Sequence, residues 1–164
     1  MNRDMKNAIK ILLLSILCMA TKCQDKESEN CHTSIGFFNN TDNNLCVRSA
    51  FPHSYFFPTP LDIKNLSPSE GKYKIKSSEQ NNRRAISSGG CYEDKFYNDG
   101  DTFFVFIFDA AVVENTLWEV VAREYLVLKR YDLTLEDLQR LNWKITYPPM
   151  EAMKDVKQYP PYGE

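Results

Sequence analysis

Histidine is almost missing from this chain: His32 and His53 are the only two in 164 residues. Any acid–base or metal scheme built on imidazole must use one or both of them, and no His-Glu-x-x-His zinc helix occurs. A Gly-x-Ser-x-Gly nucleophile turn is missing as well. No two of Cys31, Cys46 and Cys91 lie two to four residues apart, so the common zinc spacings are excluded. An excess of positive charge is also lacking. Removing residues 1–22 takes away four basic side chains and one acidic one, leaving 16 against 21, a net of about minus five. Such a chain is an improbable partner for nucleic acid.

What is present is concentrated at the start. Arg3, Lys6 and Lys10 precede an apolar run from Ile11 to Ala20, too short for a spanning helix of ~20 residues. A basic start and a short apolar stretch form the pattern of a secretory signal peptide, here residues 1–22. The mature chain is therefore expected outside the cytoplasm. A cut at Cys23 would leave its thiol to carry a lipid anchor, although Lys22 stands where lipoprotein signals usually have a small residue, and Cys18 after Leu17 fits no better. A cut after Ala20 would release a secreted or periplasmic protein instead. Residues 23–30 are polar, offer nothing to bury and read as a tether.

From Cys23 onward 142 residues remain, enough for one domain that buries ~68% of its unfolded surface. In an oxidising compartment two of Cys31, Cys46 and Cys91 should bridge, and three pairings are open. Cys31 with Cys91 is preferred because it fastens the first residue of the domain to its middle, leaving Cys46 buried as a small apolar residue.

Within residues 31–148, Ile35 to Phe38 and Leu45 to Phe51 flank a run of turn-forming residues and read as two strands joined by a hairpin or short loop. Pro52 to Pro68 reads as an ordered loop. Lys72 to Lys76 alternates as a half-buried strand does, and Ser77 to Arg84 as a polar connection. Thr102 to Phe108 is apolar on both faces and is expected to be the central strand. A capping pair, Thr116 with Glu119, predicts a helix through about Glu124, then a strand from Tyr125 to Tyr131. Thr134 with Asp137 predicts a second short helix carrying Leu135, Leu138 and Leu141, before a strand from Trp143 to Tyr147. Residues 149–164 are proline-rich and read as a loosely packed tail. The expected fold is α+β, mainly antiparallel sheet with two short helices in the second half; a β-sandwich is the alternative.

The segment Tyr125 to Pro149, Tyr-Leu-Val-Leu-Lys-Arg-Tyr-Asp-Leu-Thr-Leu-Glu-Asp-Leu-Gln-Arg-Leu-Asn-Trp-Lys-Ile-Thr-Tyr-Pro-Pro, resembles a group of uncharacterised bacterial envelope lipoproteins. Val105 to Asp109 and Cys31-His32 extend the likeness. It implies an envelope location and a lipidated Cys23, and brings no activity, cofactor or catalytic residue.

Candidate chemistry is sparse. A Cys31–His32 nucleophile needs a free thiolate, which a disulfide would abolish. Glu93, Asp94, Asp99 and Asp101 could ligate a hard cation or serve a hydrolase, against their ordinary use as turn residues. Asn39-Asn40-Thr41 and Asn65-Leu66-Ser67 match the glycosylation acceptor pattern. Phe51, Tyr55, Phe56 and Phe57 offer a stacking platform for a carbohydrate or peptide, against plain core packing. The residues thus point to a membrane-anchored, non-enzymatic binding or assembly module with no cofactor, metal or catalytic group. A small secreted hydrolase and a structural accessory of a surface complex are the alternatives.

Overall fold

A computed structural model describes residues 30–51, 62–67, 73–78, 83–98 and 101–164. The signal peptide, Cys23, almost all of the tether, His53 and the candidate platform Tyr55, Phe56 and Phe57 lie outside the described residues.

Phe103–Asp109 (β5) has no polar side chain until its last residue, so both of its faces must be covered. It is the middle of a five-stranded sheet ordered β3-β2-β5-β6-β8, as its pattern predicts. Here β2 is Leu45–Ala50, β3 Lys74–Ile75, β6 Lys129–Leu133 and β8 Lys157–Tyr159, every neighbouring pair antiparallel. Phe103, Val105 and Ile107 enter one core with Leu45, Val47, Tyr131 and Leu133. Phe104, Phe106 and Phe108 enter a second with Cys46, Ala110 and Val121.

A second, three-stranded sheet closes the first core, ordered β4-β1-β7, with β1 Ser34–Asn39, β4 Arg83–Ser87 and β7 Lys144–Tyr147. Ile35, Phe37 and Ile145 are its fully buried contribution. The buried Tyr131 hydroxyl donates to the carbonyl of Thr146 at 2.7 Å, tying the sheets together. Pairing is antiparallel between β1 and β4 and parallel between β1 and β7. The fold is therefore α+β on mainly antiparallel sheet, as expected, though the facing sheets share the architecture of the sandwich alternative.

Strands β1 and β2 do not pair, so their link is the short loop and not the hairpin of the two options. Asn39 explains the crossing between sheets. Its buried amide donates to the carbonyls of Asn43 and Lys76, and its Oδ1 accepts from the Thr41 amide and hydroxyl. It is fully buried and spent, so the first glycosylation pattern is a chance match. The polar connection expected up to Arg84 is also shorter, because β4 begins at Arg83.

Three short helices are found among the described residues, where two were expected. α1, Ala110–Asn115, is capped by Asp109, whose carboxylate accepts from the amides of Ala111 and Val112. Thr116 ends α1 instead of opening the next helix, and α2, Trp118–Arg123, starts without a side-chain cap. The Thr116–Glu119 pair is therefore not a capping box, and Leu117, just before α2, is 74% exposed. The strand expected from Tyr125 begins only at Lys129, because Tyr125 sits at φ 51°, incompatible with extended backbone. α3, Leu135–Arg140, carries the predicted capping box between Thr134 and Asp137, with Leu138 fully buried.

The expected loose tail is also corrected. Met153 and Val156 are buried at 0% and 3% exposure, and β8 pairs with β6. The buried ammonium of Lys129 donates to the carbonyls of Pro160 and Pro161, acceptors that proline retains. Truncating Met153 to Ala should cost about 2–4 kcal/mol, the usual penalty for an apolar cavity, measured by urea unfolding. A loss below about 0.5 kcal/mol would mean that the tail does not pack.

Candidate functional site

The entry of the chain into the domain holds a polar cluster beside a disulfide. Cys31 is disulfide-bonded to Cys91 across 60 residues, as preferred above, and Cys46 is free and buried. Closing a loop of that length removes unfolded-state entropy corresponding to about 4 kcal/mol. Next to the bridge, the Tyr92 amide donates to the His32 carbonyl at 2.7 Å. The short turn Glu93–Lys95 then aims the Glu93 carboxylate back at His32. Glu93 Oε2 accepts from the His32 amide at 2.9 Å, and Oε1 lies 2.6 Å from Nδ1 of the ring. These contacts join residues 61 apart, beyond the reach of any local pattern.

The imidazole also stacks on Trp143, with centroids 4.1 Å apart and planes 13° from parallel. Trp143 has φ 56°, a left-handed conformation that costs a bulky residue on the order of 1–3 kcal/mol. Its backbone is held by an amide bond to the Leu138 carbonyl and a carbonyl bond from Gly36, both 2.8 Å. Tyr92 packs 5.8 Å from the indole and donates its hydroxyl to the Ile86 carbonyl. Burial pushes the Tyr92 hydroxyl well above its ordinary pKa, so it remains a donor. Burial also pushes the Glu93 carboxyl up, but the amide and ring of His32 outweigh it and hold the group below its ordinary range. With Glu93 ionised, Nδ1 of the His32 ring is the donor in this pair.

A carboxylate that orients an imidazole is half of a nucleophile-activating device. The other half is missing at this point, because the neighbouring sulfur is in the disulfide and cannot form a thiolate. The cluster acts as a clamp that fixes the start of β1 against β7. Asp101 accepts from the Asn98 amide at 2.9 Å, the turn role, Asp94 is exposed, and Asp99 is outside the described residues. Among the described residues no three His, Cys, Asp or Glu are placed to hold a metal ion. Phe51 is packed against Phe96 and Phe103 at 5.2 and 4.7 Å, which makes it part of the core.

A separate concavity opens where β4, at the edge of the small sheet, faces β2 of the large one. It is a cavity of about 440 Å³ lined by Val47, Arg48, Ser49, Tyr73, Ala85, Ile86 and Ser87. Ser49 and Ser87 also line an adjoining 250 Å³ hollow over Phe51 and Tyr92. The Arg48 guanidinium carbon lies 3.9 Å from the centroid of the Tyr73 ring. Sequence reasoning missed this site, because one Arg within a strand pattern carries no motif.

Compared with known proteins, the chain matches no family model, no curated protein and no solved structure.

The clamp has a pH signature. Glu93 is held below its unfolded pKa, so the stability it contributes is complete above that value, near 4.5, and is lost as pH falls through the lower folded value. Glu93→Gln should cost about 1–2 kcal/mol at neutral pH and flatten the acid limb of stability below pH 4.5, read from urea midpoints across a pH series. Parallel acid limbs for the two proteins would show that Glu93 is not held this way.

Proposed function

We propose that the chain is an exported envelope protein, held on the membrane by a lipid on Cys23, whose domain is a non-enzymatic binding or assembly module displayed on the tether 23–30. The observation that supports this best is the Cys31–Cys91 disulfide at the first residues of the domain, directly after the polar tether. Such a bond persists in an oxidising compartment, where the basic and apolar start of the chain would send it. The resemblance of Tyr125 to Pro149 to envelope lipoproteins points the same way. A clamp at the attachment point also suits a domain that hangs from its N-terminal end, since the chain there is fastened to the middle of the fold. Protein or carbohydrate ligands are the partners in this reading, with the membrane reached through the anchor.

The hydrolase reading draws no support from the loop carboxylates, since Glu93 is committed to His32 and Asp101 to a turn. The accessory reading, with the proline-rich loop or the tail as its docking element, draws no support from the tail, because residues 157–159 belong to the sheet of their own domain.

Intact mass and fractionation of the protein from its native host test the proposal. The expected result is a membrane-bound chain that begins at Cys23 with acyl mass, and a Cys23→Ala variant that moves to the soluble fraction. An unmodified chain beginning near Thr21, or a Cys23→Ala protein that stays with membranes after a high-salt wash, would overturn it.

A further inference from the structure

The small sheet has two outer edges, and they end differently. On β7 the carbonyls of Trp143 and Tyr147 accept from the amides of Gly36 and Asn40, so Lys144 and Thr146 turn their backbone away from β1. Those outward groups are spent. The Lys144 amide donates to the Leu141 carbonyl at 3.1 Å, the Thr146 amide to the Met153 sulfur at 3.5 Å, and the Thr146 carbonyl accepts from the Tyr131 hydroxyl. On β4 the Ser88 amide donates to the Thr33 carbonyl at 3.1 Å. By the alternation of an antiparallel ladder, Arg84 and Ile86 then bond β1 with their backbone, and Ala85 and Ser87 face away from it. The amides and carbonyls of Ala85 and Ser87 have no hydrogen-bond partner among the described residues, and both residues are exposed. β4 is also the longest edge strand described, five residues without a proline, where β8 has three and β3 two.

An unpaired strand edge is a template for another extended backbone, and proteins cover or block such edges when they are not used. We propose that the 440 Å³ cleft beside β4 is a docking slot for one extended segment of a partner protein, which adds to β4 as a further strand. Ala85 and Ser87, two residues apart, present the repeat of a strand's pairing edge, and both line the cleft. Val47 and Ile86 also line it, so small apolar side chains at alternate positions of the segment find an apolar wall. Ser49 and Tyr73 border the cleft on the side of the large sheet. The edge is thus recessed, which admits a single peptide strand more readily than the edge of a second folded copy backed by its own sheet. The inference rests on the binding-module reading and gives it a class of partner. It is separable from the anchor, which fractionation of Cys23→Ala reads alone.

The test is amide hydrogen exchange and calorimetry on the whole protein, with the acetylated and amidated peptide Lys-Thr-Val-Thr-Val-Thr-Lys as probe. In the free protein the amides of Ala85 and Ser87 should exchange at unprotected rates while that of Ile86 is protected. Saturable binding of the peptide should slow Ala85 and Ser87 at least tenfold. Only one edge of an added strand is paired, so N-methylation of both valines and N-methylation of the three threonines should differ at least tenfold in their effect. Ala85→Pro and Ser87→Pro each delete an outward amide and spare the ladder to β1, and each should weaken binding at least tenfold, whereas Ala85→Ser should not. The exchange rates of the unaltered protein keep the test independent of any folding defect in the proline variants. Protection of Ala85 and Ser87 in the free protein would mean that its own chain covers the edge, and protection that grows with protein concentration would mean a second copy; either overturns the proposal. So would the absence of saturable peptide binding, or equal losses from the two N-methylated peptides.

Discussion

A strand that is apolar on both faces has to be covered twice, and the rest of the architecture follows from how β5 meets that demand. Its odd-numbered residues Phe103, Val105 and Ile107 call for a second sheet, and its even-numbered residues Phe104, Phe106 and Phe108 call for helices. Burying a side chain of this size is worth about 1.5–3 kcal/mol. Six in succession make β5 the common wall of two cores. The small sheet β4-β1-β7 and the helices α1 and α2 are the two coverings.

Facing sheets that are stitched by few connections leave an opening at their edges. On the side of the chain entry Tyr92, next to the Cys31–Cys91 bridge, reaches across to Phe103 of the large sheet, with ring centroids 5.3 Å apart. On the β7 side the opening is closed by Tyr131 and by the returning tail around Met153. Between β2 and β4 it stays open as the Arg48 cleft. The clamp and the cleft lie at different places on the small sheet: the clamp fastens the segments that flank β1, β4 and β7 to one another, and the cleft lies beside β4, an edge strand among the described residues.

Much of this was legible where a single local pattern decides the outcome. The unbroken aromatic and β-branched run of β5 admits only a strand buried on both sides, and Thr134-x-x-Asp137 before Leu135, Leu138 and Leu141 admits only a capped helix. The same reasoning failed at Thr116, because Asp109 captures the amides of Ala111 and Val112 and starts the helical region one helix earlier. The tail was misread because its prolines and charges conceal two buried residues, Met153 and Val156, and because Lys129 supplies donors to proline carbonyls from 31 residues away. The split of β1 and β2 between sheets and the meeting of His32 with Glu93 are long-range facts with no local signature. Of the candidate site residues, the disulfide was legible from compartment and position, and the Arg48 cleft was not, because it is made by two sheets meeting.

Native-state hydrogen exchange tests most directly whether β5 is the shared wall of both cores. The amides of Val105 and Ile107, covered on both edges by β2 and β6, should exchange only through global unfolding, with opening free energies equal to the stability from urea melts and denaturant slopes to match. If these amides exchange through openings several kcal/mol cheaper while those of β1 and β4 outlast them, the small sheet is the independent core and the account built on β5 is wrong.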